Sequence, residues 1–244
     1  MKNSTKFILI VLAAIALLIA SLTVISRNIV NDHLVIMKGD EKTEINFNGN
    51  EDLRVEREWD FSGFDEIKIS GGWDILIISD DEYRITVNSY DSDEANYEVS
   101  EAGGKLRLNM KNLIVAGRMH GASATIYMPE LKKVDVDGAV NINIEGFIQD
   151  SFSLKLDGAG SITGEDCDFK NFKLVSNGAI NIDFDESEIE NAEVYLGGAG
   201  NVQLNMTGGV LEGQLDGIAN LEYSGEVSRL AVEKDGIGSI SRKD

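Results

Sequence analysis

Few residues in this chain have side chains suited to catalysis. It contains two histidines, His33 and His120, and one cysteine, Cys167. Hydrolases of the Ser-His-Asp or Cys-His kind need an imidazole beside a nucleophile. His33 lies outside the regular part of the chain, and His120 has no evident nucleophile near it in sequence. Structural zinc sites need clustered His and Cys residues, which this sequence lacks. The sequence therefore predicts no catalytic residues, no cofactor and no zinc centre.

Cys167 has no second cysteine with which to form an intrachain disulfide. A free cysteine behaves as a small apolar side chain when it is buried. We expect Cys167 to fill space at a corner of the fold.

One acidic cluster offers oxygen ligands of the kind that calcium accepts, namely Asp183, Asp185 and Glu188. The β-helix repeat that binds calcium places an aspartate after its glycines at a period of about nine residues. In this chain Val202 stands where that aspartate would follow Gly200 and Asn201. We favour a solvated acidic corner, and a calcium site built from the three acids is the alternative.

A second pair of acids, Asp137 and Asp157, occupies equivalent positions in neighbouring copies of a repeat. Stacked strands would hold the two residues about 4.8 Å apart, near the carboxylate separation of retaining glycosidases. Most copies of the repeat carry an acidic or small residue at this position. Corner geometry therefore explains the pair better than catalysis does, and a glycan-active enzyme is the less favoured alternative.

The repeat itself is marked by glycines spaced 20, 20, 20, 19 and 19 residues apart, with a matching segment upstream around Gly71. A fixed period in this range is typical of units that stack on one another as a solenoid. In most copies the preceding residue is Asp, Asn or Gly, which predicts a corner with positive φ. The glycines of this column are Gly71, Gly138, Gly158, Gly178, Gly198, Gly217 and Gly236.

Apolar and polar residues alternate on both sides of each glycine, as in Val134 to Val136 and Ile142 to Ile144. This period of two predicts strands with one buried face, and twenty residues leave no room for a crossover helix. We therefore predict an all-β, right-handed parallel β-helix with regular repeats over residues 132–244. Residues 80–118 should form wider turns at its N-terminal end.

A polar column follows the glycines at the third position of each copy. Stacked amides in such a column are expected to hydrogen-bond along the axis as a ladder. Its asparagines are Asn141, Asn181, Asn201 and Asn220, with Asp74 at the same position upstream.

The N-terminus is apolar from residue 7 to residue 25, long enough to cross a bilayer as one transmembrane helix. Lys2 and Lys6 predict a cytoplasmic N-terminus and an extracytoplasmic domain. We divide the chain into an anchor (1–27), a polar stalk (28–53) and a β-solenoid domain (54–244). Cleavage of the anchor as a signal peptide, followed by secretion, is the alternative.

The chain carries 22 basic and 42 acidic residues, a net charge of −20. A body of this charge repels nucleic acids and anionic lipid surfaces. The charge excludes nucleic acid as a partner and is consistent with solubility of the solenoid.

Several segments resemble a known family, the head GIN domain of auto-transporter adhesins, over residues 54–244. The resemblance rests on the opening segment 58–67, the Gly71-Gly-Trp-Asp74-Ile75 step, the strand 105–108, the segment 128–131 and the repeats that follow. It implies a bacterial, envelope-associated β-helix without catalytic residues. The long apolar N-terminus differs from the usual secreted architecture.

These observations predict a non-enzymatic, membrane-anchored head that binds surface or envelope ligands of unknown identity. An accessory partner of an envelope signalling or membrane protein is the main alternative. Because solenoid ends expose unpaired strands, we also expect association of copies through the ends.

Overall fold

A computed structural model describes residues 33–38, 41–46, 54–90, 96–111, 114–115, 118–119 and 122–243. The chain divides into two compact units, Met1–Leu53 and Arg54–Asp244. Strands β1 (His33–Lys38) and β2 (Glu41–Asn46) of the first unit pair in antiparallel fashion, within the predicted stalk. The predicted anchor, residues 7–25, lies outside the described residues. No helix with the length and apolarity to cross a membrane occurs in the part of the chain that the structure describes.

The second unit consists of β-strands and their connections. Its N-terminal strands are β3 (Arg54–Trp59), β4 (Glu66–Ser79), β5 (Arg84–Tyr90), β6 (Tyr97–Glu101), β7 (Lys105–Met110), β8 (Ile114–Val115), β9 (Arg118–Met119) and β10 (Ala122–Met128). Its repeat strands are β11 (Lys133–Glu145), β12 (Ile148–Ser176), β13 (Ala179–Leu196), β14 (Ala199–Thr207), β15 (Val210–Leu215), β16 (Ile218–Glu226), β17 (Arg229–Lys234) and β18 (Ile237–Arg242).

Parallel pairing in the register set by the repeat confirms the predicted β-solenoid. Strands β4, β11, β12, β13, β14, β16 and β18 lie side by side in that order. Ile142 pairs with Ile162, and Ile162 with Ile182. All three side chains are fully buried. One continuous core therefore runs along the axis, and each turn buries its apolar side chains against the next.

The segment predicted as wider turns, residues 80–118, is built differently. In this segment, β7 runs parallel to β4. Strand β10, which follows the segment, is also parallel to β4. Strands β5 and β6 are antiparallel to β10 and β7, and β3 is antiparallel to β5. The prediction was wrong for these strands: β6 returns directly into β7 through a hairpin, and β5 lies between β3 and β10 and runs antiparallel to both. They cover the N-terminal end of the solenoid.

Aromatic side chains pack under these antiparallel strands. Tyr97 makes edge-to-face contacts with Trp73, at 5.9 Å between ring centroids, and with Trp59, at 6.4 Å. Such contacts add to the burial of large apolar surface. The end of the core that would otherwise face solvent is thereby covered.

The middle of the core is a cluster of four phenylalanines, with ring centroids 5.1 to 6.4 Å apart: Phe152, Phe169, Phe172 and Phe184. All four are buried. Gly164 makes room for the ring of Phe184, because a Cβ at that position would overlap the ring.

The glycine column agrees only in part with the predicted positive φ. Positive φ occurs at Gly71, Gly138 and Gly158, and it is absent at the four later glycines of the column. The six glycines from Gly138 to Gly236 share a close approach between turns. A Cβ on any of them would overlap the backbone of the column glycine one turn earlier. Steric exclusion, more than a special φ, explains why this column is glycine.

Two adjacent glycines allow this exclusion to be tested. A Cβ on Gly198 would overlap the carbonyl oxygen of Gly178, whereas a Cβ on Gly197 would meet only the side-chain Oδ1 of Asn177, at 2.9 Å. We expect Gly198→Ala to lower the free energy of unfolding by about 1–3 kcal/mol or more, as overpacking does, since backbone must move. Gly197→Ala is the matched control and should cost little. Urea unfolding of both variants measures the difference, and equal midpoints would contradict it.

Candidate ligand-binding face

Each turn presents two outer surfaces, separated by the glycine column. The strand segment that follows the glycine carries the asparagine column, and we call its outer surface the amide face. The segment that precedes the glycine carries alternating acidic and basic side chains, and we call its outer surface the paired-charge face. Its charged side chains include Lys133 and Asp135 on β11, Lys155 and Asp157 on β12, and Glu193 on β13.

The amide face contains part of the predicted ladder. Asn141 donates to Asp74 Oδ1 at 3.1 Å, and Asn220 donates to Asn201 Oδ1 at 3.0 Å. Ser239 Oγ then donates to Asn220 Oδ1 at 2.9 Å. Asn181 lies in register with Asn201. The ladder is thus formed at both ends of the column.

Ion pairs cross the paired-charge face between turns and along strands. Lys173 Nζ lies 2.6 Å from Glu193 on the next turn, and Arg229 lies 2.7 Å from Glu212. Lys155 pairs with Asp157 on its own strand. Hydrogen bonds to these carboxylates raise the pKa of both Lys155 and Lys173. Lys155, Lys173 and Arg229 are thus each paired with a carboxylate.

Asp137 and Asp157, the acid pair considered for catalysis, are register neighbours on β11 and β12. Lys155 and then Asn177 donate hydrogen bonds to Asp157, and these hold the pKa of its carboxyl below the ordinary value. A general acid in a glycosidase needs a raised pKa. Asp157 is therefore unsuited to donate a proton near neutral pH.

A groove of about 920 Å³ adjoins the paired-charge face at the corner of the solenoid. We call it the corner groove. Asn171 donates to the carbonyl of Asp150 at 3.2 Å, and Asn191 donates to that of Lys170 at 3.0 Å. Asn191 Oδ1 also accepts the backbone N–H of Val210 at 3.0 Å. The groove lining includes Gln149, Asp150, Ser151, Asn171, Lys173 and Asn191.

The sequence analysis did not predict this second asparagine column, whose side chains bind the backbone of neighbouring turns. Asn171 and Asn191 are 20 residues apart, so the period itself could have revealed it.

Of the three residues considered for calcium, Asp185 binds a lysine. Lys243 Nζ lies 2.6 Å from Asp185 Oδ2, and Ser224 donates to Asp185 Oδ1 at 3.1 Å. The hydrogen bond from Lys243 lowers the pKa of Asp185. Asp183 Oδ1 accepts the backbone N–H of Asp185 at 3.1 Å, and Glu188 is exposed beside Asp168. No cluster of three metal-ligating side chains occurs among the residues that the structure describes.

The other candidate residues have unremarkable surroundings. Cys167 is buried, with Sγ 3.3 Å from the carbonyl oxygen of Glu165, and burial raises the pKa of its thiol. It therefore remains a protonated, space-filling side chain. His33 lies on β1, and His120 lies outside the described residues.

Comparison with solved structures identifies the same fold in a bacterial protein and weaker similarity in two others. A "putative adhesin" from Bacteroides fragilis NCTC 9343 matches with a TM-score of 0.60 and 17% identity, covering 78% of this chain and 97% of that one. A "putative lipid binding protein" from Parabacteroides distasonis ATCC 8503 matches with a TM-score of 0.49 and 16% identity, covering 81% and 98%. A "putative adhesin" from the same strain matches with a TM-score of 0.46 and 12% identity, covering 79% and 98%.

No curated protein matches the chain. A family model does match, over residues 63–185, which is just over half of the 244 residues. The matched region includes the antiparallel strands β5 and β6 and the repeats as far as the first part of β13. The chain belongs to the family described as "Putative auto-transporter adhesin, head GIN domain".

Proposed function

We propose that this protein is a non-enzymatic, adhesin-like head in the bacterial cell envelope that binds surface or envelope ligands. Residues 7–25 anchor it in the membrane, with the solenoid on the extracytoplasmic side. The observation that carries the proposal is the paired-charge face with its adjoining groove, held on a rigid stack of turns. Membership of the adhesin head family supports the same class of function.

The arrangement of charges favours binding over catalysis. Lys155, Lys173 and Arg229 each have a carboxylate partner, and Asp157 is held ionised. Proton transfer needs a group whose pKa is shifted toward the working pH. A surface whose side chains recur at each turn instead offers many weak and similar contacts, which add up when the ligand is extended.

Filling the corner groove tests the proposal. Ser151 is exposed and lines the groove, and Asn181 is exposed on the amide face. In the full chain reconstituted into lipid vesicles, Ser151→Arg should reduce binding of the vesicles to bacterial cells several-fold, because the longer side chain occupies the groove. Asn181→Arg adds the same charge away from the groove and should bind like the parent chain. Fluorescent vesicles counted on cells give the measurement. Failure of the parent chain to exceed empty vesicles would refute the function.

We further propose that two copies associate through the open end of the solenoid. Strand β17 pairs only with β15, and β18 only with β16, among the described strands. Leu230 and Ile237 on these strands are 46% and 60% exposed. An uncovered strand edge with exposed apolar side chains favours pairing with another chain.

Sedimentation of the full chain in detergent tests this association. The parent chain should shift from monomer to dimer as concentration rises, and Ile237→Lys should remain monomeric because it places a charge in the contact. Ile148, 79% exposed elsewhere, provides the control Ile148→Lys, which should still dimerise. A parent chain that is monomeric at every concentration would contradict the proposal.

A further inference from the structure

The apolar core of the solenoid ends uncovered at strand β17. Leu230 lies in register with Leu211, which is fully buried, yet Leu230 itself is 46% exposed. Val232, two residues further along, also packs against the core and is only partly buried. The core therefore continues into the last turn without a neighbour to cover it. A further strand laid on this edge would bury both side chains.

The backbone of β17 also presents an open edge. Among the described strands, β17 pairs only with β15. Asp235 donates its backbone N–H to the carbonyl of Leu215 on the preceding turn. Since successive residues of a strand direct their backbone groups to opposite sides, the odd-numbered residues of β17 also face β15. The backbone groups of Leu230 and Val232 point to the open edge, where a second strand can pair with them.

The sequence of this edge is complementary to itself. Residues 229–233 read Arg-Leu-Ala-Val-Glu. When two such strands run antiparallel and are centred on Ala231, Arg229 lies opposite Glu233 of the other copy. In the same register Leu230 lies opposite Val232, and twofold symmetry repeats both pairs. Opposite charges and apolar side chains that face each other across antiparallel strands stabilise the pairing.

The backbone fits the same register. Leu230 and Val232 direct their backbone groups to the open edge, so they would exchange two hydrogen bonds across it as a hydrogen-bonded pair. Arg229 and Glu233 would form non-hydrogen-bonded pairs, in which the opposed side chains lie closest together. Both charged residues are exposed on the outer surface. The ion pairs would therefore lie outside, while the apolar pairs cover the core.

Neighbouring registers match less well. The nearest ones that keep the apolar side chains on the inner side are centred on Leu230 or on Val232. Centring on Leu230 would place Arg229 opposite Ala231. Centring on Val232 would place Lys234 opposite Leu230, which sets a charge against the apolar core. The residues of β17 thus favour a single register.

The covered N-terminal end limits the assembly to two copies. The antiparallel strands β5 and β6 lie there, so a head-to-tail stack has no second open edge to continue on. Two copies joined at β17 form a closed, twofold pair. Within one copy, β4 and β18 are six strand spacings apart, about 29 Å at about 4.8 Å each. The two ends at which the chains enter their solenoids are then about 60 Å apart, on opposite sides of the pair.

We propose that the ligand of this head is a second copy of the same chain. The copies bind through β17 in the antiparallel register centred on Ala231, and the pair joins two apposed membranes. The inference rests on the proposed adhesin function and on the proposed association of copies, and it names the partner. Many heads on each membrane add their contacts through multivalency.

Clustering of vesicles tests this partner. The full chain reconstituted into phosphatidylcholine vesicles should cluster them, as measured by dynamic light scattering, whereas empty vesicles should stay single. Arg229→Glu alone, or Glu233→Arg alone, should reduce clustering about tenfold or more, because each sets like charges opposite each other twice. Vesicles that carry the first variant should cluster with vesicles that carry the second, since every charge then faces its opposite. The double exchange in one chain should also restore clustering.

A charge reversal at the other end of the solenoid is the matched control. Lys105 Nζ lies 2.8 Å from Glu66, as Arg229 lies 2.7 Å from Glu212. Lys105→Glu should therefore cluster vesicles like the parent chain. Unchanged urea midpoints establish that each variant is folded.

Several results would overturn the inference. Vesicles that bind bacterial cells lacking this protein, but do not cluster with one another, would refute self-recognition and leave the adhesin function standing. Absence of both would refute both proposals. Parent-level clustering by either single variant, or no recovery on mixing the two, would exclude the register at β17. Loss of clustering in Lys105→Glu would assign the association to overall charge instead of the strand edge.

Discussion

The close stacking of backbone on backbone at the glycine column is the constraint on which the repeat region depends. The amide of Ala199 donates to the carbonyl of Gly178 at 2.9 Å, and Ile218 makes the same bond to Gly198. No side chain fits between these turns, so only one register brings the glycines together. A slip by one residue would also send every core side chain to the surface. The glycine contacts and the buried apolar columns therefore select the same register.

That register determines the chemistry of the outer surface as well. Residues 20 apart in sequence become direct neighbours, which is how Lys173 reaches Glu193 and Lys170 reaches Asp150. Exposed ion pairs of this kind contribute little to stability. Their effect is on the surface itself, since a strongly acidic chain acquires one face where opposite charges alternate.

The sequence predicted the features that the period controls, namely the parallel strands, the shared column of Ile142, Ile162 and Ile182, and the position of Asp74 beside Asn141. The sequence did not predict contacts that involve few residues and do not recur with the repeat. The antiparallel strands β5 and β6 carry the same alternation as parallel ones, so alternation could not reveal their direction. The bond between Asp185 and Lys243 joins residues 58 apart and follows from how the last turn lies, not from any local pattern. The corner groove likewise depends on how two neighbouring surfaces of the solenoid meet.

The two ends of the solenoid differ: one is covered by antiparallel strands, and the other exposes strand edges. At the N-terminal end the antiparallel strands cover the core, and Trp73 packs against Tyr97. At the other end β17 and β18 each have one neighbour, and the bond from Lys243 to Asp185 ties the last turn back to β13. In a stack that is stabilised by nearest-neighbour contacts, the terminal turn has half the contacts of an internal one and opens most readily. The tie to Asp185 leaves the edges of β17 and β18 uncovered, so this end of the solenoid remains the one available for pairing.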